Sequence, residues 1–220
     1  MVQAITISAP AAAHPRRRAA VSDATQPHAV IVAGPNGAGK STLAPRLLVG
    51  AFQVSTFVNA DVIAQGLSGF DPASAAIQAG RIMLARLDDL RRVRADFAFE
   101  TTLSGLAHRR TIERLFDDGY AVHLFYLWIP HPELSITRVR TRVAMGGHHV
   151  PDEVVRRRYR RGIENFRDAY RWIVTDWFAY DAAAGLGENP ALLASGARDA
   201  VPQIYGSGGW TALLEGRPPR

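Results

Sequence analysis

The sequence predicts an α/β protein with a three-layer α/β/α fold and a mostly parallel sheet. Short apolar runs alternate with segments of helical periodicity between residues 29 and 180. The run from Tyr120 to Ile129 is almost continuously apolar and rich in aromatic and β-branched residues, as is typical of a strand buried on both faces. A glycine-rich segment directly follows the first apolar run. Strands and helices that alternate in this way form parallel sheets covered by helices.

Five predicted strands are short apolar runs, most of them followed by polar residues. In chain order they comprise residues 29–33, 55–58, 97–99, 120–129 and 172–180. The run at 120–129 is the longest, and we expect it at the centre of the sheet. After residue 180 the sequence predicts irregular chain and a short segment at 210–214.

Five predicted helices lie between or after these strands. They begin near residue 40 and cover about 72–90, 107–118, 132–145 and 152–170. Asp71 can cap the second helix, and Pro72 suits its first turn. Gly119 ends the third, and two glycines, Gly146 and Gly147, separate the last two.

Length and composition limit the class of protein. A chain of 220 residues is long enough for one domain with a substantial core. It has no cysteine, which excludes disulfides and thiolate metal sites, and no apolar run approaches the roughly 20 residues that span a bilayer. We expect a cytoplasmic protein with no membrane partner. Residues 1–27, rich in Ala, Pro and Arg, are predicted to form a flexible basic arm, and residues 28–220 a single domain.

A phosphate-binding loop is the strongest motif. Lys40 is the only lysine in the chain, and it completes a G-x-x-x-x-G-K-[ST] pattern. That pattern reads Gly34-Pro35-Asn36-Gly37-Ala38-Gly39-Lys40-Ser41-Thr42. Its backbone N–H groups can converge on phosphates, Lys40 adds a compact charge at the β- and γ-phosphates, and Ser41 offers a hydroxyl to Mg²⁺. The loop predicts a nucleoside triphosphate such as ATP, with magnesium.

Asp61 is a candidate catalytic base. It follows the second strand, at the edge of the sheet where ligands bind in parallel α/β proteins. An acid there can accept the proton of a hydroxyl that attacks the γ-phosphate. Aspartate also caps helices, so the residue pattern by itself leaves both roles open.

Glu100 is the second candidate carboxylate. It ends an apolar stretch, the usual layout of a strand that carries a magnesium-associated acid. It can orient Mg²⁺, through a water molecule, or hold substrate hydroxyls, and Thr101 and Thr102 add polar groups beside it. The alternative is a solvated glutamate at a strand end. Arg109 and Arg110, on the next helix, are expected to be surface charges.

The segment at about 138–165 resembles a lid made of two basic helices joined by a glycine hinge. Ten arginines lie between Arg138 and Arg171, whereas the region from Val49 to Gly80 has no basic residue. Arginines on a closing lid can stabilise the charge of a transferred phosphate and exclude water. We expect two or three of them to act in this way and the others to form a solvated face.

Adjacent histidines, His148 and His149, stand in this hinge. Neighbouring side chains diverge on any regular element, and no third ligand lies at a useful spacing, which argues against zinc. They are expected to belong to the hinge or to touch the substrate when the lid closes.

With these motifs the chain resembles the zeta-toxin family of P-loop kinases over roughly residues 29–180, in the short branch often labelled predicted ABC-type ATPases. The resemblance rests on four segments: the glycine loop, residues 59–61, residues 99–102, and a pattern from 138 to 151 that continues at 157–159. It implies a P-loop kinase fold with an arginine-rich helical lid. The family transfers the γ-phosphate of ATP to a hydroxyl of a UDP-sugar, usually UDP-N-acetylglucosamine, and so poisons cell-wall precursor synthesis.

Carried over by position, the resemblance assigns roles to single residues. Asp61 matches the general base, Lys40 and Ser41 the phosphate and magnesium contacts, and Glu100 a substrate-holding carboxylate. The substrate set expected from motif and resemblance comprises Asn59, Asp61, Glu100, Thr101, Thr102 and His148. Two arginines should flank the transferred phosphate, for which Arg142 and Arg158 are chosen, with Arg138 and Arg157 as alternatives.

Two departures from the family bear on its partners and its nucleotide. Members often carry Tyr-Asp-Asn-Ser after the last strand, whereas this chain reads Tyr180-Asp181-Ala182-Ala183, so the resemblance carries no nucleotide contact to that loop. The 27-residue arm is too short for a fused helical antitoxin. A role as the toxin of a toxin–antitoxin system would therefore need a separately encoded antitoxin.

The sequence is also compatible with other functions. The net charge of +6 and the arginine-rich helices would suit a nucleic-acid-associated P-loop ATPase, but aromatic residues for base stacking are sparse there, so nucleic acid is not the expected partner. A kinase of another hydroxyl acceptor, such as an antibiotic or a nucleotide, would carry the same motifs. A transporter ATPase fits less well, because no strand ends in adjacent Asp-Glu.

Overall fold

Seven strands form one sheet in the computed structural model, which describes residues 26–47, 52–72, 74–147, 149–184 and 189–216. The strands are β1 (His28–Ala33), β2 (Phe57–Val58), β3 (Phe97–Thr101), β4 (Ala121–Trp128), β5 (Asp176–Asp181), β6 (Ala191–Ala197) and β7 (Gln203–Ile204). Their order across the sheet is β2-β3-β1-β4-β5-β6-β7. The predicted long strand is thus the central one.

Seven α-helices accompany the sheet in the described part of the chain. They are α1 (Lys40–Leu47), α2 (Ala60–Leu67), α3 (Ala76–Arg92), α4 (Ala107–Asp117), α5 (Pro132–Ala144), α6 (Asp152–Asp168) and α7 (Ser207–Glu215). None of these described helices is both long and apolar enough to cross a membrane.

The predicted mostly parallel sheet is confirmed. Strands β1 to β5 pair in parallel, and β6 and β7 add to the β5 edge in antiparallel orientation. The prediction of irregular chain after residue 180 is wrong. The alanine-rich sequence of β6 has little β propensity of its own, but its Gly196 packs on the ring of Trp177, where a Cβ atom would lie 2.6 Å from Cζ2. Contact with β5 therefore makes this segment a strand.

Aromatic side chains fill both faces of the sheet, because successive residues of a strand point to opposite sides. On one face Tyr126 stacks against Phe166 of α6, with ring centroids 4.3 Å apart. On the other face Phe125 stacks against Phe178 of β5 at 5.0 Å. All residues of β4 are buried, which explains why its sequence is apolar except for His123.

Two local predictions near the site need correction. The helix expected after Asp71 and Pro72 begins only at Ala76, and no side chain caps it. Asp71 instead accepts a hydrogen bond from the backbone N–H of Ser74 at 3.3 Å and so stabilises a turn before α3. Helix α2 lies between β2 and this turn.

Helix α6 is an integral part of the core. Its Tyr159, Ile163 and Phe166 are buried in the main hydrophobic cluster, while α5 packs on it through Ile136 and Val139. The lid at 138–165 and the basic arm at 1–27 stay predictions, and residues 1–25 of the arm lie outside the described residues.

Candidate active site

The glycine loop connects β1 to α1 with backbone conformations that favour glycine. Gly34, Gly37 and Gly39 have φ values of 142°, 77° and 81°. A Cβ atom at Gly34 would lie 2.2 Å from the carbonyl oxygen of Leu127 on β4, and one at Gly37 would lie 2.9 Å from that of Ser135 on α5. The loop therefore fits closely between β4 and α5, with its N–H groups at the start of a helix.

Lys40 is buried beneath this loop, with 5% of its surface exposed. Its ammonium donates hydrogen bonds to the carbonyl oxygens of Gly34 and Pro35, both at 2.9 Å. Nζ also lies 3.5 Å from Oε1 of Glu100. Burial lowers the pKa of Lys40, and the nearby carboxylates of Glu100 and Asp61 oppose that shift.

Glu100 joins three of the predicted site residues. Its Oε2 accepts hydrogen bonds from Oγ of Ser41 at 2.8 Å and from Nδ2 of Asn59 at 3.0 Å, while Oε1 faces Lys40. A solvated glutamate at a strand end would not have these partners. The ammonium and hydroxyl at the start of α1, with the carboxylate near the end of β3 beside them, are groups that suit a nucleotide phosphate with Mg²⁺.

Asn59, not Asp61, caps helix α2. Oδ1 of Asn59 accepts hydrogen bonds from the backbone N–H groups of Asp61 and Val62, at 2.7 and 3.4 Å. Asp61 thus lies in the first turn of α2 with its carboxylate exposed rather than committed to the cap.

A cavity of about 380 Å³ opens beside these residues. Of the predicted substrate residues, its walls include Asn59, Asp61, Glu100, Thr101 and Thr102. His148 lies outside the described residues. Three further lining residues, Asn36, Ser104 and His108, were not proposed from the sequence as acceptor contacts. Asn36 belongs to the loop motif, whereas Ser104 and His108 belong to no motif that could have identified them.

A strained turn after β3 shapes one wall of the cavity. Leu103 is fully buried and has a φ of 52°, which is uncommon for a bulky residue. Its N–H donates to Oγ1 of Thr101 at 3.1 Å, and its carbonyl accepts from Nδ2 of Asn165 at 2.6 Å. The turn brings the hydroxyls of Thr102 and Ser104 within 2.9 Å of each other at the cavity.

His108 presents a neutral imidazole to the same cavity. Its Nδ1 is buried without a hydrogen-bond partner among the described residues, and its ring packs on Phe99. Burial lowers the pKa of His108 to about 4, so the ring is uncharged at neutral pH.

The two chosen arginines lie beside the site. Arg142 is close enough for its charge to lower the pKa of Lys40 further. Arg158 lines the cavity and is half-buried, whereas its neighbours Arg156 and Arg157 are exposed on α6. Position therefore favours Arg158 over Arg157 for contact with a bound substrate.

Arg138 is bound to backbone carbonyl groups. Its guanidinium donates to the oxygens of Ala182, Ala183 and Ala184 at 2.7 to 2.8 Å, and more weakly to that of Gly37 at 3.5 Å. It thereby holds the segment after β5 against the glycine loop. Because its guanidinium makes this connection, Arg138 differs in role from Arg142 and Arg158, which lie beside the site.

A family comparison agrees with this geometry. Residues 30–166 match the model of the family AAA_33, described as an AAA domain. The chain belongs to this family. The AAA-domain match covers the glycine loop, both carboxylates and most of α6. An uncharacterized protein of Haemophilus influenzae is 31% identical over 134 residues, which make up 61% of this chain and 94% of that protein.

Solved structures share the fold. A structure from the PezAT chromosomal toxin–antitoxin system of Streptococcus pneumoniae aligns with a TM-score of 0.56 and 22% identity, covering 71% of this chain and 69% of that one. The AvrRxo1-ORF1:-ORF2 complex with ATP aligns with a TM-score of 0.67 and 17% identity, over 88% of this chain and 65% of that one. At such identities the likeness shows the fold alone. The predicted α/β/α P-loop kinase fold is thus confirmed.

Proposed function

We propose that this AAA-domain protein is an ATP-dependent kinase that phosphorylates a hydroxyl of a small molecule. The observation that carries the proposal is that Lys40 lies close to Glu100 and Asp61, the two carboxylates that line one cavity. A simple ATPase needs a site for water only, whereas this cavity of about 380 Å³ has room for part of an organic acceptor.

Each polar group at the phosphate loop has a task in such a reaction. When bound, ATP supplies the γ-phosphoryl group and Mg²⁺ neutralises part of its charge. Lys40 and the N–H groups of the loop would bind the phosphates, and Ser41 would hold the metal ion with Glu100, the latter through a water molecule. The hydrogen bond between Ser41 and Glu100 supports this pairing.

Asp61 is the proposed base. The acceptor oxygen forms a bond to the γ-phosphorus as the bond to the β-phosphate oxygen breaks, and Asp61 takes the proton that the hydroxyl loses. Because Asn59 provides the helix cap, the carboxylate of Asp61 is available for this role. Arg142 and Arg158 are proposed to stabilise the charge on the transferred group.

The proposed acceptor is a UDP-sugar such as UDP-N-acetylglucosamine, and the proposed role is that of a zeta-like toxin with a separately encoded antitoxin. The fold shared with the PezAT toxin–antitoxin structure and the sequence resemblance support this choice. Asn59, Glu100, Thr101 and Thr102 line the cavity and would hold sugar hydroxyls. His148 remains a proposed further contact.

A screen of acceptors tests the function. The purified protein is incubated with radiolabelled ATP, Mg²⁺ and separate pools of UDP-sugars, antibiotics, nucleotides and RNA, with Lys40→Ala as the blank. We expect label in the UDP-sugar pool alone. Label in another pool would replace the acceptor but retain the kinase. Release of free phosphate without transfer to any pool would refute the kinase.

A further inference from the structure

Asn36 is the residue through which the glycine loop lines the cavity beside Asp61. The G-x-x-x-x-G-K-[ST] pattern leaves this position open to any residue type, so the motif assigns no task to an amide there. The loop can bind phosphates through its backbone N–H groups, whereas the cavity is the proposed place of the acceptor. The side chain of Asn36 therefore lies at the boundary between the two proposed substrate sites.

Helix α5 holds the backbone at Asn36 in place. The carbonyl oxygen of Asn36 accepts a hydrogen bond from the hydroxyl of Ser135, a fully buried residue of α5. At the next residue, a Cβ atom on Gly37 would lie 2.9 Å from the carbonyl oxygen of Ser135 and 3.0 Å from Cβ of Arg138. The loop therefore has little room to move towards α5, and the side chain of Asn36 keeps its place in the cavity wall.

The amide of Asn36 is buried and incompletely paired. Only 4% of the residue is exposed, and its Oδ1 has no hydrogen-bond partner among the described residues. Burying a polar atom without a partner costs free energy, which an alanine at this position would avoid. Because the unpaired atom belongs to a side chain that lines a cavity, it indicates a hydrogen-bond partner on a bound substrate.

Two other polar side chains of the cavity differ from Asn36. The amide of Asn59 is used at both ends, because its Oδ1 caps α2 and its Nδ2 donates to Glu100. His108 also has a buried atom, Nδ1, without a partner in the described part of the chain, but it belongs to α4 and not to the loop. Of the described residues that line the cavity, Asn36 thus combines an unpaired buried atom with a position on the phosphate loop.

We propose that the amide of Asn36 bridges the two substrates during phosphoryl transfer. Its Nδ2 donates a hydrogen bond to an oxygen of the γ-phosphate, whose ionised oxygens only accept, and its Oδ1 accepts one from an N–H or O–H group of the acceptor. The inference rests on the proposed kinase function and adds a catalytic residue to it. Asn36 forms no covalent bond: the acceptor oxygen bonds to the γ-phosphorus, the bond to the β-phosphate oxygen breaks, and Asp61 takes the proton.

A bridge of this kind aligns the acceptor with the γ-phosphate. Alignment of two bound reactants lowers the barrier to their reaction, and a large acceptor depends on such contacts for its orientation. Water is small enough to reach the γ-phosphate without them. Loss of the bridge should therefore slow transfer to the acceptor more than hydrolysis of ATP.

Nucleotide binding tests the place of Asn36 without any acceptor. Asn36→Asp keeps the shape of the side chain but puts a carboxylate where the amide would meet the γ-phosphate. By calorimetry with Mg²⁺, we expect binding of a non-hydrolysable ATP analogue to weaken at least about tenfold more than binding of ADP, which lacks that phosphate. Asn189→Asp, an exposed change before β6, should leave both affinities as in the wild type. Equal weakening for the two nucleotides, or none, would overturn the contact with the γ-phosphate.

Catalysis and stability of Asn36→Ala test the bridge itself. Phosphate transfer to the acceptor found in the screen should fall about 30-fold, while ATP hydrolysis without an acceptor changes less than about threefold. The Tm should stay the same or rise, because the variant removes a buried amide oxygen that has no partner among the described residues. Asn189→Ala is the matched control for both measurements.

The outcomes separate this inference from the proposed function. A lower Tm, with transfer and hydrolysis reduced by the same factor, would give Asn36 a structural role and overturn the inference. Normal transfer by Asn36→Ala would overturn the bridge and leave the kinase intact. A wild type that transfers phosphate to no acceptor would refute the proposed function and the bridge with it.

Discussion

Lys40 and Glu100 form the central ion pair of the site, with Nζ 3.5 Å from Oε1. The pair links the glycine loop to the end of β3, and the second oxygen of Glu100 binds Ser41 and Asn59. Contacts with Glu100 therefore fix the side chains of Lys40, Ser41 and Asn59 relative to one another. These contacts hold the side chains in place, which is the preorganisation that the proposed phosphoryl transfer needs.

Replacing Glu100 by Gln should separate binding from catalysis. The variant keeps the shape of the side chain but removes the charge beside Lys40 and Ser41. We expect phosphate transfer to fall about 100-fold while ATP binding without Mg²⁺ changes little. Steady-state kinetics and calorimetry measure the two effects, with exposed Glu153→Gln as the matched control. Transfer at the wild-type rate in Glu100→Gln would argue that the carboxylate has no part in the reaction.

Arg138 should be a stability residue. Its planar fork binds three consecutive carbonyl groups, a geometry that the single ammonium of lysine cannot reproduce. Arg138→Lys should lower the free energy of unfolding by about 1–3 kcal/mol. Arg140→Lys, on the exposed side of α5, should lower it by less than about 0.5 kcal/mol. Urea denaturation compares the two, and equal losses would contradict the assigned role.

His108 should make stability depend on pH. Its pKa is lowered from 6.5 to about 4 in the folded protein, so between these values the unfolded chain binds the extra proton. Unfolding therefore becomes easier as the pH falls through this window, by about 3 kcal/mol in total. His108→Phe removes the group. The difference in the free energy of unfolding between wild type and variant should change as the pH is lowered from 6.5 to 4. A difference that stays constant would show that the pKa of His108 is not lowered.

Gly196 should contribute to the stability of the antiparallel edge of the sheet. A Cβ atom there would lie 2.6 Å from Cζ2 of Trp177, which is itself stacked on Trp210 of α7. Gly196→Val should cost about 1–3 kcal/mol through overpacking, whereas Gly208→Val, where nothing lies within 4 Å of the added atom, should cost less. Thermal unfolding distinguishes them. Similar losses would mean that the Trp177 contact does not limit the packing of β6.

Apart from helix α2, the order of elements from β1 to β5 followed from the sequence, because these strands and helices carry their own local patterns. The proximity of Asp61, Glu100 and Lys40 could be predicted for a related reason: parallel strands end at one edge, so residues that follow them in sequence meet in space. The strand β6 was missed since its pairing depends on Trp177, which no local pattern reveals.

Other parts of the site depend on contacts that are distant in sequence. The turn at Leu103 is held by Asn165, and the binding role of Arg138 depends on residues 182–184. His108 and Arg110 lie two residues apart on α4 but line different cavities, the first the cavity beside the glycine loop and the second a cavity between α3 and α4. This difference could not be predicted without knowing how α3 packs beside α4. Motifs therefore predicted which residues meet beside the glycine loop, whereas the walls of the two cavities required the structure.

The most direct test of the central claim is transfer of radiolabelled γ-phosphate from ATP to UDP-N-acetylglucosamine, measured for wild type and Asp61→Asn. Both proteins should bind ATP equally, because Asp61 lies outside the glycine loop. The account predicts a labelled sugar nucleotide from the wild type and at least about 100-fold less from Asp61→Asn. Full transfer by Asp61→Asn, or no transfer by a wild type that binds ATP normally, would contradict it.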